Sequence, residues 1–259
     1  MHSSFLLVFY GNTGSSWLIQ TLGNVPGVFV PGFEPLDEWA WDTDDTQRIA
    51  WLRTVLSPPV DRTGPDYEGW LAALHAHPHF RDPRDPAFVH VGFKMRSHSI
   101  RDRMAVLTSL HGLGARLVVL ERQNRIKHAL SLYRYHEEEK SQFDKSGIRP
   151  PSDLDLEVFH RWVTASVDLQ RQSDVFWAKA QRVMEPDALT RIQYEDFLDE
   201  PGKAATLQHL TGFLGIDAPS YAPSALEKAT SDSLRESIVN FEAVVARYTG
   251  TEFERFLSD

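Results

Sequence analysis

The sequence predicts an α/β fold, a three-layer sandwich in which a central parallel sheet is flanked by helices. Two observations predict it: short β-rich runs alternate along the chain with segments of helical periodicity, and the first apolar run leads into a glycine turn that opens a helix. The 259 residues, 42% of them hydrophobic and 24% charged, suit a globular protein with a substantial core. We expect one domain over residues 1–259, with residues 217–259 as a helical C-terminal extension.

The predicted elements follow one another in the order that a parallel sheet requires. Strands are predicted at residues 4–10, 28–30, 88–93, 117–120 and 189–193. Helices are predicted at residues 15–22, 46–56, 100–110, 124–139, 156–180 and 204–214. Residues 57–65, 75–86 and 141–155 are rich in proline, glycine and charge, and they are predicted to be loops or lids.

Charge and composition exclude several classes of function. A net charge of −9 argues against a broad nucleic-acid or anionic-membrane surface, although it allows a local basic pocket. The chain contains no cysteine, so it has no disulfide, thiolate ligand or cysteine nucleophile. The apolar run at residues 5–10 is too short for a membrane span or a signal-peptide core. We therefore expect a cytoplasmic protein that binds its anion locally.

The first candidate site is the loop after the first strand, YGNTGSSWL at residues 10–18. Gly11 and Gly14 allow a tight turn, and the following helix offers backbone N–H groups and its positive dipole end, with hydroxyl donors from Ser15 and Ser16. Such donors suit a tetrahedral oxyanion. Ser15 stands where an ATP-type P-loop has its lysine, which disfavours that class. Taken alone, the pattern also fits a simple tight connection.

The second candidate site lies where the fourth predicted strand passes into a helix, LVVLERQNRIKHALSLYRY at residues 117–135. Arg122 is at the carboxyl end of that strand and begins the densest positive cluster of the chain, which suits another anionic group. The cluster includes Arg116, Arg122, Arg125, Lys127, His128 and Arg134. For Arg125 and Lys127, an ordinary solvated helix face is the alternative.

These two segments carry a resemblance to a known family. GNTGSSWL resembles the 5′-phosphosulfate loop of sulfotransferases that use 3′-phosphoadenosine 5′-phosphosulfate (PAPS), and LERQNRIKHALSLYR resembles their 3′-phosphate motif. The nine-residue spacing from Arg122 to Ser131 is closer to bacterial carbohydrate (trehalose-type) enzymes than to cytosolic phenol and steroid enzymes. YEDFLDEPGKAATLQHLTGFLGI, at residues 194–216, is similar to the family's tyrosine-acid-acid segment and the helix after it. The resemblance implies a P-loop-like sandwich.

The resemblance assigns roles to the matching residues. It implies that the loop residues hold the phosphosulfate group and that Trp17 packs on the adenine. Arg122 and Ser131 would hold the 3′-phosphate, and Tyr194 would lie near the adenine edge. Trp17 and Tyr194 also fit simple core packing. The implied donor-binding residues are Gly11, Asn12, Thr13, Gly14, Ser15, Ser16, Trp17, Arg122, Ser131 and Tyr194.

The chain departs from the family pattern at two catalytic positions. The family commonly has a lysine or arginine where this chain has Asn12, so another cation must neutralise the transferring group, and Lys94 is the candidate. Cytosolic members have a histidine two residues after the strand-end lysine, but here Arg96 follows Lys94 at that spacing. Glu34, in a Glu-Pro segment like that of carbohydrate sulfotransferases, is the candidate base. A surface lysine and a solvated acid are the alternatives.

The predicted function is transfer of a sulfonate from PAPS to a hydroxyl of a small-molecule or carbohydrate acceptor, without a required metal. One alternative is a phosphotransferase with an atypical P-loop, and another is a catalytically reduced nucleotide-binding module. His75, His77 and His79 alternate as strand-borne metal ligands do, but Pro78 argues for an irregular segment, so no metal site is predicted.

Overall fold

The structure is a computed structural model of the chain. It describes residues 3–31, 33–37, 41–61, 63–78, 88–138, 150–217, 224 and 233–258. By spatial proximity the chain divides into two compact units. We call residues 1–10, 14–121 and 173–224 the sheet unit, and residues 11–13, 122–172 and 225–259 the helical unit. The expectation of a single domain stays a prediction.

Five parallel strands form the centre of the sheet unit. They are β1 (Ser3–Phe9), β2 (Val28–Phe29), β3 (His90–Arg96), β4 (Arg116–Glu121) and β5 (Leu189–Gln193). Their order is β2-β3-β1-β4-β5, and every neighbouring pair is parallel. Parallel strands are joined by crossover connections, whose helices cover both faces of the sheet. β1 lies between β3 and β4, and its buried residues are therefore all apolar. The predicted parallel sheet is confirmed.

The helices of the described residues match the predicted ones, with additions. They are α1 (Ser15–Gly23), α2 (Asp45–Val55), α3 (Pro65–His75), α4 (Arg103–Gly112), α5 (Arg125–His136), α6 (Leu156–Val183), α7 (Glu200–Leu214), α8 (Leu234–Ser237) and α9 (Phe241–Tyr248). The sequence reasoning placed no helix at α3. Pro65 occupies the first helical turn of α3, a position that proline tolerates because its missing N–H would be unbonded there.

Helices cover both faces of the sheet. On one face, Phe5, Leu7 and Phe9 of β1 pack with apolar side chains of α1 and α7. On the other face, Leu6 is fully buried beside Phe93, its partner in β3, whose ring lies 5.5 Å from that of Trp51 in α2. The two faces alternate because successive side chains of a strand point in opposite directions. The flanking helices of the predicted sandwich are therefore present.

The helical unit has its own apolar core. Side chains of α5, α6, α8 and α9 form it, with Phe159 of α6 and Tyr248 of α9 almost fully buried. Residues 217–259, predicted as a helical extension, contain α8 and α9, and residues 218–223 and 225–232 lie outside the described residues. Within the described part of the chain, no helix is long and apolar enough to cross a membrane.

Candidate functional site

The loop between β1 and α1 is a tight turn with left-handed backbone. Three of its residues have left-handed backbone, with φ of 71° at Gly11, 47° at Asn12 and 76° at Gly14. Asparagine is among the few residues other than glycine that enter this region readily. Gly14 is the N-cap of α1 and has no side chain with which to cap the first helical turn. The predicted tight turn and helix start are confirmed.

Lys94 lies beside the α1 end of this loop within the sheet unit. Its ammonium donates to Ser16 Oγ at 3.2 Å and pairs with Glu34 Oε1 at 2.8 Å. β3 extends to Arg96, beyond the predicted end at residue 93, so Lys94 is part of the strand and only 2% exposed. Lys94 is the sheet partner of Leu7, which places it on the face covered by α1. The surface-lysine alternative is therefore wrong.

Glu34 belongs to a group of four charged side chains. Arg96 Nη2 lies 3.9 Å from Glu34 Oε2, and Arg96 Nε lies 3.3 Å from Asp37 Oδ2. Glu34 and Asp37 are both buried, whereas the Arg96 side chain is 35% exposed. The two carboxylates and the cations of Lys94 and Arg96 sum to zero charge. Burial therefore excludes the alternative of a solvated acid for Glu34 and leaves the carboxylate beside two cations.

The sequence did not lead us to predict that Arg96 and Asp37 belong to this charged group. Arg96 stands two residues after Lys94, so the two side chains point to the same face of β3. Asp37 stands three residues after Glu34 and accepts a hydrogen bond from Ser99 Oγ. The two-residue spacing of Lys94 and Arg96 along a strand could have predicted that both side chains lie on the same face. Nothing in the sequence indicated that Asp37 and Arg96 would meet, because 59 positions separate them.

His77 fixes the segment that carries Glu34. Its Nε2 lies 2.9 Å from the Pro35 carbonyl oxygen, and the ring is almost fully buried. The rings of Phe33, Trp41 and Trp51 surround it at centroid distances of 5.5, 5.2 and 5.4 Å. His79 lies outside the described residues, as does Trp39. Among the residues the structure describes, no group of three or more potential metal-ligating side chains is close enough to hold an ion.

Trp17 and Tyr194 lie at the edge of the core next to Gly14. Trp17 stacks on Phe197 with ring centroids 5.6 Å apart and an interplanar angle of 15°. Tyr194 contacts Phe197 edge to face at 5.4 Å, and a Cβ at Gly14 would approach its ring to 2.8 Å. Both rings are half-buried, so each combines core packing with an exposed edge. Lys203 Nζ lies 5.8 Å from the centre of the Trp17 ring.

Within the helical unit, Arg122 contacts Ser131, the other residue predicted to bind the 3′-phosphate, and also the first half of the loop. Its Nη1 donates to Ser131 Oγ at 2.8 Å and to the Asn12 carbonyl at 3.2 Å. Thr13 is 1% exposed, and its hydroxyl has no hydrogen-bond partner among the described residues. A buried hydroxyl without a partner is costly, so its retention favours a ligand role.

Two arginines of the positive cluster brace the helical unit. Arg125 Nη1 donates to the Ser166 carbonyl at 3.2 Å, and Arg134 Nη2 donates to the Ser237 carbonyl at 2.7 Å. Both side chains are buried. The alternative of a solvated helix face is therefore wrong for Arg125. His128 was predicted only as a member of this cluster, and the structure adds that its Nε2 lies 3.0 Å from the Gly11 carbonyl oxygen.

Comparison with known proteins gives matches among solved structures only. No protein-family model matches the chain, and the search of curated proteins also gave no match. The chain resembles a sulfotransferase from Alicyclobacillus acidocaldarius with 15% identity and a TM-score of 0.48, covering 99% of this chain and 96% of the other. It resembles the sulfotransferase domain from the curacin biosynthetic pathway with 13% identity and a TM-score of 0.47, covering 92% and 83%.

A third solved structure extends the same pattern. It is mouse sulfotransferase SULT7A1 complexed with PAP, at 13% identity and a TM-score of 0.43, covering 98% of this chain and 88% of the other.

Proposed function

We propose that the chain is a sulfotransferase that moves a sulfonate group from PAPS to a hydroxyl of a small-molecule or carbohydrate acceptor. The observation that carries the proposal is the position of Lys94, whose buried ammonium contacts both Ser16 of the loop and the Glu34 carboxylate. This is the cation that the loop itself lacks at Asn12. More specifically, we propose a carbohydrate acceptor, as in the trehalose-type enzymes. This part of the proposal rests on the Arg122–Ser131 spacing and the Glu-Pro segment.

The residues present fit the two anionic ends of such a donor. Thr13 keeps a buried hydroxyl without a hydrogen-bond partner among the described residues. Gly14 packs closely against Tyr194, whose ring a Cβ at this position would approach to 2.8 Å. The phosphosulfate would be held by residues 11–16 and Lys94, and the 3′-phosphate by Arg122 and Ser131. Arg122 suits a phosphate because a guanidinium donates several hydrogen bonds in a fixed planar geometry. Trp17 and Tyr194 would contact the adenine.

The residues of the sheet unit supply the chemistry of transfer. When bound, the donor supplies the sulfonate and leaves as adenosine 3′,5′-bisphosphate. Lys94 and the hydroxyl of Ser16 stabilise the negative charge that develops on the bridging oxygen. A preorganised donor of this kind lowers the barrier by about 3 kcal/mol. Lys94 is already held in place by Glu34, so little reorganisation is needed.

Glu34 acts as the general base. Its carboxylate takes the proton of the acceptor hydroxyl as that oxygen attacks sulfur, a role that contributes about 10²–10⁴ in rate. His77 holds the neighbouring Pro35 carbonyl, and Arg96 stands beside the second carboxylate oxygen. These contacts restrict the carboxylate to one orientation, which is what a base in a positioned attack requires.

The first test is calorimetric titration with adenosine 3′,5′-bisphosphate and, separately, with ATP and magnesium. We expect micromolar binding of the bisphosphate, loss of that binding in Arg122→Ala, and no loss in Arg171→Ala. Arg171 is a matched control because it is an exposed arginine of the same helical unit, paired only at the surface with Asp168. Preference for magnesium ATP would favour the phosphotransferase alternative and contradict the proposal.

The second test separates an enzyme from a nucleotide-binding module. With an acceptor found by screening, Glu34→Gln should lower kcat by about 10²-fold or more while the affinity for the bisphosphate changes little. Glu68→Gln, an exposed glutamate on α3, is the control. Activity should also persist in a chelator, because no metal takes part in the proposed transfer. Bisphosphate binding without turnover of any acceptor would leave only the binding module.

A further inference from the structure

His128 contacts the loop between β1 and α1, and the proposed sulfonate transfer assigns it no role. It lies in α5 and is 2% exposed. Its Nε2 is 3.0 Å from the carbonyl oxygen of Gly11, and its Nδ1 is 2.9 Å from Ser166 Oγ in α6. All three residues belong to the helical unit. A buried imidazole with a partner on each nitrogen is held in one orientation.

The Gly11 carbonyl determines that Nε2 carries a proton. A carbonyl oxygen only accepts hydrogen bonds, so Nε2 must be protonated and must donate to Gly11. A hydroxyl both donates and accepts, so the fully buried Ser166 pairs with Nδ1 whether or not that nitrogen is protonated. Ser166 therefore holds the orientation of the ring, and the Gly11 carbonyl selects the nitrogen that donates to the loop.

The Gly11 carbonyl is one of two loop carbonyls held in this way. The Asn12 carbonyl accepts from Arg122 Nη1 at 3.2 Å. In a trans peptide the C=O and the following N–H point in opposite directions. Because the Gly11 carbonyl points toward His128, the Asn12 N–H points away from His128. Because the Asn12 carbonyl points toward Arg122, the Thr13 N–H likewise points away from Arg122. Successive N–H groups directed to one side form an anion-binding concavity.

The loop conformation is held from outside the loop as well as allowed by its residues. Gly11 and Asn12 are both left-handed, a conformation that glycine adopts freely and that asparagine adopts more readily than other residues with a side chain. His128 and Arg122 are the side chains that supply this hold on the two carbonyls. Arg122 would also bind the 3′-phosphate, whereas the ring nitrogens of His128 bond to the loop and to α6.

We propose that His128 is a positioning residue that holds the Gly11 carbonyl so that the loop N–H groups face the 5′-phosphosulfate of the donor. The inference rests on the proposed function, since it concerns the same donor. It predicts that His128 contributes to recognition of the 5′ end of the nucleotide and not of its 3′-phosphate. It acts through the backbone and does not touch the reacting atoms.

The test compares two nucleotides that differ only at the 5′ end. Dissociation constants for adenosine 3′,5′-bisphosphate and adenosine 3′-monophosphate are measured by calorimetry, and their ratio reports the contribution of the loop. We expect His128→Leu to reduce that ratio about tenfold while the affinity for the monophosphate stays within about twofold. His128→Gln, which keeps an N–H donor, should restore most of the ratio. His136→Leu, an exposed histidine at the end of the same helix, should change neither constant.

Several results would overturn the inference. An unchanged ratio in His128→Leu, or an equal loss for both nucleotides, would mean that the ring serves only packing. If His128→Leu does not fold, Ser166→Ala takes its place and should lower the same ratio by a smaller factor. Nitrogen NMR of the unaltered protein adds a readout that needs no variant, and protonation of Nδ1 alone would also overturn the inference. Failure of the unaltered protein to bind either nucleotide, with the expected tautomer present, would instead overturn the proposed function.

Discussion

Lys94 and Glu34 form a buried ion pair, with 2.8 Å between Nζ and Oε1. Sixty positions separate the two residues, and the pair joins strand β3 to the segment after β2. Lys94 is 2% exposed, so its charge depends on this carboxylate for compensation. The pair is thus a structural contact as well as a part of the candidate site, and the two roles can be measured separately.

The structural role predicts strong coupling between the two residues. Glu34→Gln and Lys94→Met should each lower the free energy of unfolding by about 3 kcal/mol, because each leaves a buried charge without its partner. The double variant should lose less than the sum of the single losses, since it removes both charges. Urea unfolding of the four proteins measures the cycle. Additive losses would show that the pair does not interact energetically.

The catalytic role predicts that Lys94 matters more for turnover than for binding. Lys94→Met should lower kcat by about 10²–10³-fold, because the variant loses a charge that stabilises the transition state in a site with little water. Steady-state kinetics at saturating donor measure this. Lys179→Met, on α6, is the control and should retain its kcat. If Lys94→Met kept full kcat, a group other than Lys94 would have to supply the positive charge that Asn12 does not provide.

Gly14 and Gly114 allow the effect of a close contact to be separated from that of backbone conformation. Both have positive φ, 76° and 62°. A Cβ at Gly14 would lie 2.8 Å from the Tyr194 ring, whereas the space around a Cβ at Gly114 is open to 4 Å. Gly114→Ala should therefore cost about 1 kcal/mol of stability and Gly14→Ala at least about twice that.

The same two variants should differ in ligand binding. Gly14→Ala should weaken binding of adenosine 3′,5′-bisphosphate, and Gly114→Ala should leave it unchanged. Thermal unfolding and calorimetry on each protein provide both readouts. Equal stability losses in the two variants would mean that Tyr194 moves aside without a measurable energy cost.

Tyr10 makes the stability of the protein sensitive to alkaline pH. Burial raises the pKa of Tyr10 from 10.0 to about 12, and Arg103 opposes that effect. The folded state thus holds the phenolic proton more tightly than the unfolded chain does. The stabilisation is fully present below about pH 10 and is lost as the pH rises toward about 12, by about 3 kcal/mol in total.

Tyr10→Phe should therefore flatten the decline in unfolding free energy between about pH 10 and pH 12. Burial also raises the pKa of Tyr248 to about 12, so part of the decline should remain in this variant. Tyr135→Phe, at an exposed position, is the control and should follow the unaltered protein. Urea midpoints measured across this pH range provide the comparison, and identical curves for Tyr10→Phe and the unaltered protein would contradict the assignment.

The fold followed from local pattern because its strands are short apolar runs and its helices have regular spacing. The β1 segment Phe5–Leu6–Leu7–Val8 is buried on both faces, which is the signature of a central parallel strand. Helix α3 escaped prediction because it begins at a Gly64–Pro65 pair, which by itself favours a turn, and contains Gly69, which weakens the helical pattern. β3 runs to Arg96 and not to residue 93 because its last residues pair with β1, which local propensity does not report.

By itself, the sequence determined the alternation of strands and helices typical of a parallel α/β fold, the turn at residues 11–16 and the Arg122–Ser131 pair, because each depends on residues close together in the chain. Only the tertiary structure decided that Lys94 meets Ser16 and Glu34, that Arg96 meets Asp37, and that His128 meets Gly11. These contacts join residues 59 to 117 positions apart. Distances of that kind are set by which strands pair and which helices pack together, and no local pattern in the chain encodes them.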